Sequence, residues 1–254
     1  MEQARPPIET IRNGVGDTRN LVKTRTQETI GVGIREGTVR RISCGIEHPD
    51  GVEVAVLAEK DYDSPFTKPT SIDFEGILRT HDYLTTHGYP TIPVMYGNEQ
   101  NNKLYMTDLT EDGKYTVISD ADWHSMSDET HERRGKLADS QEIFTIENTD
   151  VLADELSKLL IKCTEEGCVL GDMAKDKPKR NIFFIVLDPN TKKGKILLGD
   201  IYHIYPNTQQ PKKDIALFNY RSIHFFVESI NKRLSPKTQI PIEPIKEMYE
   251  RLVK

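Results

Sequence analysis

The residues best suited to chemistry lie in the second half of the chain. The stretch from Gly167 to Asp200 reads GCVLGDMAKDKPKRNIFFIVLDPNTKKGKILLGD and carries Asp172, Asp176, Asn181 and Asp200. Asn181 opens an apolar run of β type, Ile182 to Leu187. DPNTKKG then supplies a turn, and a second apolar run, Ile196 to Leu198, is closed by Asp200. Folded as a hairpin, the two runs return Asp200 close to Asn181 and to the aspartates of the preceding loop. An amide oxygen and carboxylates gathered in this way make a hard-oxygen site, and Mg²⁺ with a nucleotide is its natural occupant.

The elements that position these residues must come from a chain long enough for one large domain or two lobes. Hydrophobic content of 36% and charged content of 29% are ordinary for a folded soluble protein, so a packed core is expected. A net charge of −6 argues against a general nucleic-acid binder. Cys44, Cys163 and Cys168 are odd in number and lack zinc-type pairing, which reads as reduced thiols in a reducing compartment. The opening residues, MEQARPPIETIRNG, have no apolar signal core, and no run approaches ~18 apolar residues. The expectation is a cytoplasmic protein with no membrane partner.

Residues 1–29 are polar and read as an N-terminal tail or strap. From Ile30 the pattern turns to β: IGVGIREGTVRRISCGI, a HPDG turn, then VEVAVLA. SIDFEGILRTHDYLTTHG has helical apolar spacing at Phe74, Ile77, Leu78 and Leu84. YPTIPVMYGNEQNNKLYMTDLTEDG reads as strand, turn, strand and connector. Residues 111–148 form a polar insertion whose Asp120, Asp122, His124, Asp128 and His131 show no recognised metal-ligand spacing. From Asn148-Thr149-Asp150 a helix starts with capping residues, carries Val151, Leu152, Leu156, Leu159, Leu160 and Cys163 on one face, and ends at Gly167. DIALFNYRSIHFFVESINKRL is a helix with a wide apolar face, and PIKEMYERLVK a short final one.

In this order of elements, and in the DKPKRN and LGD motifs, the chain resembles the protein-kinase-like superfamily, most nearly its atypical and aminoglycoside-phosphotransferase-like branches. The resemblance spans roughly residues 30–230. It implies an α+β, two-lobed protein-kinase-like fold: an antiparallel N-terminal sheet with one helix over residues 30–110, then a mainly helical lobe over 111–254 carrying a catalytic hairpin at 167–200. Gly31, Gly33 and Gly37 resemble the family's glycine-rich loop, with one residue too many before Thr38-Val39. Glycines there let backbone N–H groups approach phosphates. By resemblance Glu75 is the helix glutamate that pairs with a strand lysine. Leu57 occupies the lysine's usual place, so Lys60 is the first lysine available, and it needs a bulge to face inward. By the same resemblance Met106 would sit near the back of a nucleotide pocket, with Thr107, Asp108 and Leu109 as the hinge.

The resemblance also assigns roles in the loop. Asp176 has the family spacing to Asn181, whereas Asp172 has the preceding glycine and the expected distance from Gly167, and both remain open as the catalytic aspartate. That residue would orient and deprotonate the acceptor hydroxyl, while Asn181 and Asp200 would bind Mg²⁺ on the nucleotide phosphates. Neither aspartate follows a histidine, and no glycine follows Asp200 by two positions. Two expectations follow: an ATP- and Mg²⁺-dependent phosphotransferase acting on a hydroxyl of a small molecule or protein, or a pseudokinase serving as a nucleotide-binding or scaffolding module.

Overall fold

A computed structural model of the chain describes residues 8–33, 37–62, 73–119, 143–171, 182–199, 201–206 and 208–254, with the backbone alone at 25–33 and 37–38. The described residues group into two compact units, and the division falls within helix α1 (Phe74–Thr86), after Asp82.

The first unit is a barrel. Its strands are β1 (Ile8–Arg12), β2 (Thr18–Gly33), β3 (Gly37–His48), β4 (Gly51–Asp61), β5 (Met95–Asn98) and β6 (Lys103–Thr107). They are hydrogen-bonded in the order β1-β2-β3-β4-β6-β5, every neighbouring pair antiparallel, and the sheet closes on itself. One residue pair, Arg12 with Gly97, makes the closure between β1 and β5. An ion pair from Arg12 to Glu99 lies beside it. The interior is filled by Ile11, Leu21, Ile42, Cys44, Ile46, Leu57 and Tyr105, with at least one residue from five of the six strands.

This corrects the expected fold class. The α+β two-lobed kinase-like architecture requires an open N-terminal sheet, and the sheet here is a closed six-stranded barrel. The cause is local. Residues 8–29 form β1 and most of β2. Their polar composition conceals an alternation in which Ile11 and Leu21 are fully buried while their neighbours face solvent. Such alternation is the signature of a strand with one wet face, and mean polarity does not report it.

Outside the barrel, α1 lies over β5. A Cβ at Gly97 would come within 2.9 Å of Leu78 Cδ1, so the glycine admits the helix at close range. His81, buried on the same helix, donates from Nε2 to the Ile92 carbonyl at 2.7 Å.

The second unit contains helices α2 (Thr149–Glu165), α3 (Lys212–Asn231) and α4 (Glu243–Val253). A three-stranded antiparallel sheet is ordered β10-β9-β7, from β7 (Thr116–Ser119), β9 (Phe183–Leu187) and β10 (Gly194–Leu198). A two-residue strand β8 (Val169–Leu170) pairs with β11 (Ile204–Tyr205). Asn148 precedes α2 as expected of a cap, but its side chain is spent elsewhere. Its Nδ2 donates to the Gly194 carbonyl at 2.9 Å and its Oδ1 accepts from the Gly194 amide at 2.8 Å, fastening β10 to the start of the helix. At the other end Gly167 takes φ of 69° and the Cys168 amide returns to the Cys163 carbonyl at 2.8 Å, a glycine-terminated stop. Among the described residues no helix is long and apolar enough to cross a membrane.

Candidate functional site

The hairpin expected between Asn181 and Asp200 is present. β9 and β10 pair in register from Phe183 with Leu198 to Leu187 with Gly194. The intervening turn is set by Asp188, whose Oδ1 accepts from the amides of Asn190 (2.8 Å) and Thr191 (3.2 Å). Those two amide bonds hold its carboxyl below the usual aspartate range. At the open end the Gly199 amide donates to the Ile182 carbonyl at 2.8 Å. Asn181 is the chain neighbour of Ile182, and Asp200 that of Gly199. Asp172, Asp176, Asn181 and Asp200 themselves lie outside the described residues.

Two aromatic rings pack against Gly199 and Gly171. A Cβ at Gly199 would fall 1.5 Å from Phe184 Cε2, so the ring occupies the space any side chain would need. Gly171 has φ of 132° and its Cβ position lies 2.9 Å from Phe218 Cε1 on α3. Asn219, fully buried on α3, clamps β8 just ahead of Gly171. Its Oδ1 accepts from the Leu170 amide and its Nδ2 donates to the Cys168 carbonyl, each at 2.8 Å. One turn on, Ser222 is also buried, and its hydroxyl has no hydrogen-bond partner among the described residues. It sits 3.5 Å from the Cβ position of Gly171, beside the residue from which 172–181 departs.

The remaining expected residues fall on the first unit or at its border. Gly31 and Gly33 end β2 and Gly37 begins β3, paired as Gly31 with Val39 and Gly33 with Gly37. Lys60 lies on β4 in an uninterrupted register, with no bulge to turn it. It therefore faces opposite to Leu57, its ammonium 5.0 Å from the Tyr62 ring centre. Glu75, in the first turn of α1, is exposed, and its carboxylate accepts from Arg79 at 2.9 Å one turn along. The structure does not bring Lys60 and Glu75 together. Met106 and Thr107 end β6, half-buried, and the Thr107 amide donates to the Val94 carbonyl at 3.2 Å. Asp108 is buried and ion-paired with Arg41 Nε. Leu109, also half-buried, groups with the second unit.

Sequence reasoning missed a second polar centre, inside the barrel. Glu59, at 2% exposure, shares the inward face of β4 with Leu57 and is ion-paired with Lys23 of β2. Lys23 Nζ also reaches Glu9 Oε1 of β1 at 2.8 Å. Glu9 Oε2 accepts from Asn98 Nδ2 at 2.9 Å and from the Tyr105 hydroxyl. Lys103 Nζ stands 3.9 Å from Glu9 Oε1 and 3.7 Å from Glu59 Oε2. Burial alone would raise the Glu9 carboxyl. The bonds from Lys23 and Tyr105 and the charges of Lys23 and Lys103 overcome it and bring the carboxyl down to about 2. For Lys23, burial opposes the charge, but Glu59 and Glu9 more than restore it, and its ammonium is held more firmly protonated than usual. Burial and its bond to Glu9 raise the Tyr105 hydroxyl, which stays a donor. The available signal was the alternation Leu57, Glu59 on one strand and Leu21, Lys23 on another, which puts charge on a core-facing side.

No protein-family model matches this chain, and no curated protein sequence matches it.

Proposed function

We propose that this chain is an ATP- and Mg²⁺-dependent phosphotransferase that moves the γ-phosphoryl group to a hydroxyl of a small molecule or protein. The observation that carries the reading is the hairpin end: Gly199 is bonded to Ile182 at 2.8 Å, one residue away in the chain from Asp200 and Asn181 respectively. An amide and a carboxylate are hard-oxygen donors suited to Mg²⁺. Bound there with ATP, the cation would offset the charge of the phosphate oxygens. Asp172 or Asp176 would orient the acceptor and take its hydroxyl proton as the new P–O bond forms and the bond to the ADP oxygen breaks. The reading rests on these residue types and their order, and not on a kinase-like architecture. The proposed ligands are Asn181 and Asp200, chosen by residue type and by their place at the hairpin end.

One observation favours the second reading, a nucleotide-binding or scaffolding module without catalysis. Lys60 faces opposite to Leu57, and the Glu75 carboxylate is bonded to Arg79, so the expected lysine–glutamate pair is not formed.

Thermal unfolding with and without ATP, each with and without Mg²⁺, on the wild type and on Asp200→Ala, tests the proposal. A ligand present at about 100 times its dissociation constant adds about 2.7 kcal/mol, which is a shift of a few degrees. A shift that needs Mg²⁺ and vanishes in Asp200→Ala supports the metal site, and transfer of labelled γ-phosphate to water or an added alcohol supports catalysis. A shift indifferent to Mg²⁺ favours the module, and no shift with ATP rejects the phosphotransferase and any nucleotide-binding role.

A further inference from the structure

Four donor groups inside the barrel converge on one carboxylate. Lys23 Nζ, Asn98 Nδ2 and the Tyr105 hydroxyl are bonded to Glu9, and Lys103 Nζ is 3.9 Å away. The donors come from β2, β5 and β6, so three different strands fix their directions. Ammonium, amide and hydroxyl groups held around one oxyanion are the means by which proteins bind carboxylate and phosphate. The carboxylate they hold belongs to β1, the five-residue strand that meets β5 through the single pair Arg12 with Gly97.

We propose that the polar end of the barrel is an oxyanion-binding site, for a small ligand bearing a carboxylate or a phosphate, which Glu9 fills from within. A ligand enters by displacing Glu9 together with β1. Once Glu9 has left, Lys23 and Lys103 face Glu59 alone, a surplus of one positive charge, while the Asn98 amide that held Glu9 is open and the Tyr105 hydroxyl is left to Glu59. A buried, uncompensated cation with an open donor is costly, and an oxyanion relieves it. Release of β1 also uncovers Ile11, which is fully buried, and this keeps the site shut when ligand is scarce. The inference is independent of the nucleotide reading.

The test compares the full-length wild type with Glu9→Ala by thermal unfolding in sodium acetate, sodium phosphate and sodium chloride at equal ionic strength. Glu9→Ala is expected to gain stability saturably in acetate or phosphate over chloride. Its apparent affinity should exceed that of the wild type about tenfold or more, because the internal competitor has been removed. Lys103→Met in the Glu9→Ala background should weaken the response. A response to acetate alone assigns a carboxylate ligand, and one to phosphate alone a phosphate-bearing ligand. Equal responses in wild type and Glu9→Ala would put the binding elsewhere, at a nucleotide site for instance, and overturn the proposal, as would indifference of a folded Glu9→Ala to both anions. If Glu9→Ala does not fold, hydrogen exchange on the wild type decides. The amides of β1 should exchange faster in phosphate or acetate than in chloride, and unchanged rates reject the idea.

Discussion

The Leu170 amide donates to Asn219 Oδ1 and Asn219 Nδ2 donates to the Cys168 carbonyl, each across 2.8 Å, so one buried residue of α3 satisfies an N–H of β8 and the carbonyl just ahead of that strand. The clamp is two-sided. Removing it leaves a buried N–H and a buried C=O without partners, each worth roughly 1–3 kcal/mol.

Asn219→Leu, close in volume and unable to form either bond, should therefore lose roughly 2–4 kcal/mol in urea unfolding. In the assay for γ-phosphate transfer its rate should fall while the barrel unit keeps its circular dichroism. A loss below about 0.5 kcal/mol, the range of an ordinary surface substitution, would show that the clamp is incidental.

Gly199→Ala places a methyl group where the Phe184 ring already lies, 1.5 Å from Cε2. Overpacking of this kind costs about 1–3 kcal/mol and sometimes more. Phe184→Leu combined with Gly199→Ala should recover part of the loss, since the ring is the obstacle. Double-mutant unfolding measures this directly, and strict additivity of the two losses would count against steric exclusion.

Glu9 gives the barrel an acid dependence of defined sign. Its carboxyl titrates near 2 in the fold against 4.5 as the ordinary value, so the stabilisation is complete above about pH 4.5 and is lost as pH falls toward 2. The size is on the order of 3 kcal/mol. Glu9→Gln should be weaker than wild type by that order at neutral pH, and the two unfolding curves should converge as the solution approaches pH 2. Parallel curves over that interval would remove Glu9 from the account.

The cysteines should be silent in the native state. Cys44, Cys163 and Cys168 are all buried, and burial pushes the Cys44 thiol up to about 11. Burial and the neighbouring Cys168 likewise raise Cys163. Since the thiolate is the reactive form, an aromatic disulfide reagent should label none of the three promptly in buffer and all three in denaturant. Rapid native labelling of one would mark an opening that the packing does not show.

How much of this was legible beforehand depended on range. α2 and the β9–β10 hairpin were readable because their signals are local: an apolar stripe ended by Gly167, and two apolar runs around DPNTKKG. The barrel was not, because its closure depends on Arg12 finding Gly97 across most of the first unit, and no local pattern states such a pairing. The interior charges failed for a related reason. Lys23 and Glu59 look like solvated strand residues until the sheet closes and their face becomes an inside. Lys60 has the residue type of a phosphate-binding lysine, whereas alternation from Leu57 gives the inward position to Glu59.

Gly171 and Gly199 each stand immediately before an aspartate, and in a linear reading each Gly-Asp dipeptide looks like a single chemical word. Packing divides the word. Phe218 and Phe184 claim the volume beside the two glycines, so a chain that keeps those rings must keep the glycines, whatever residue follows. In distant versions of this chain, persistence of the glycines would report inheritance of the fold. Persistence of the aspartates would report inheritance of the chemistry, and the two could be lost at different times.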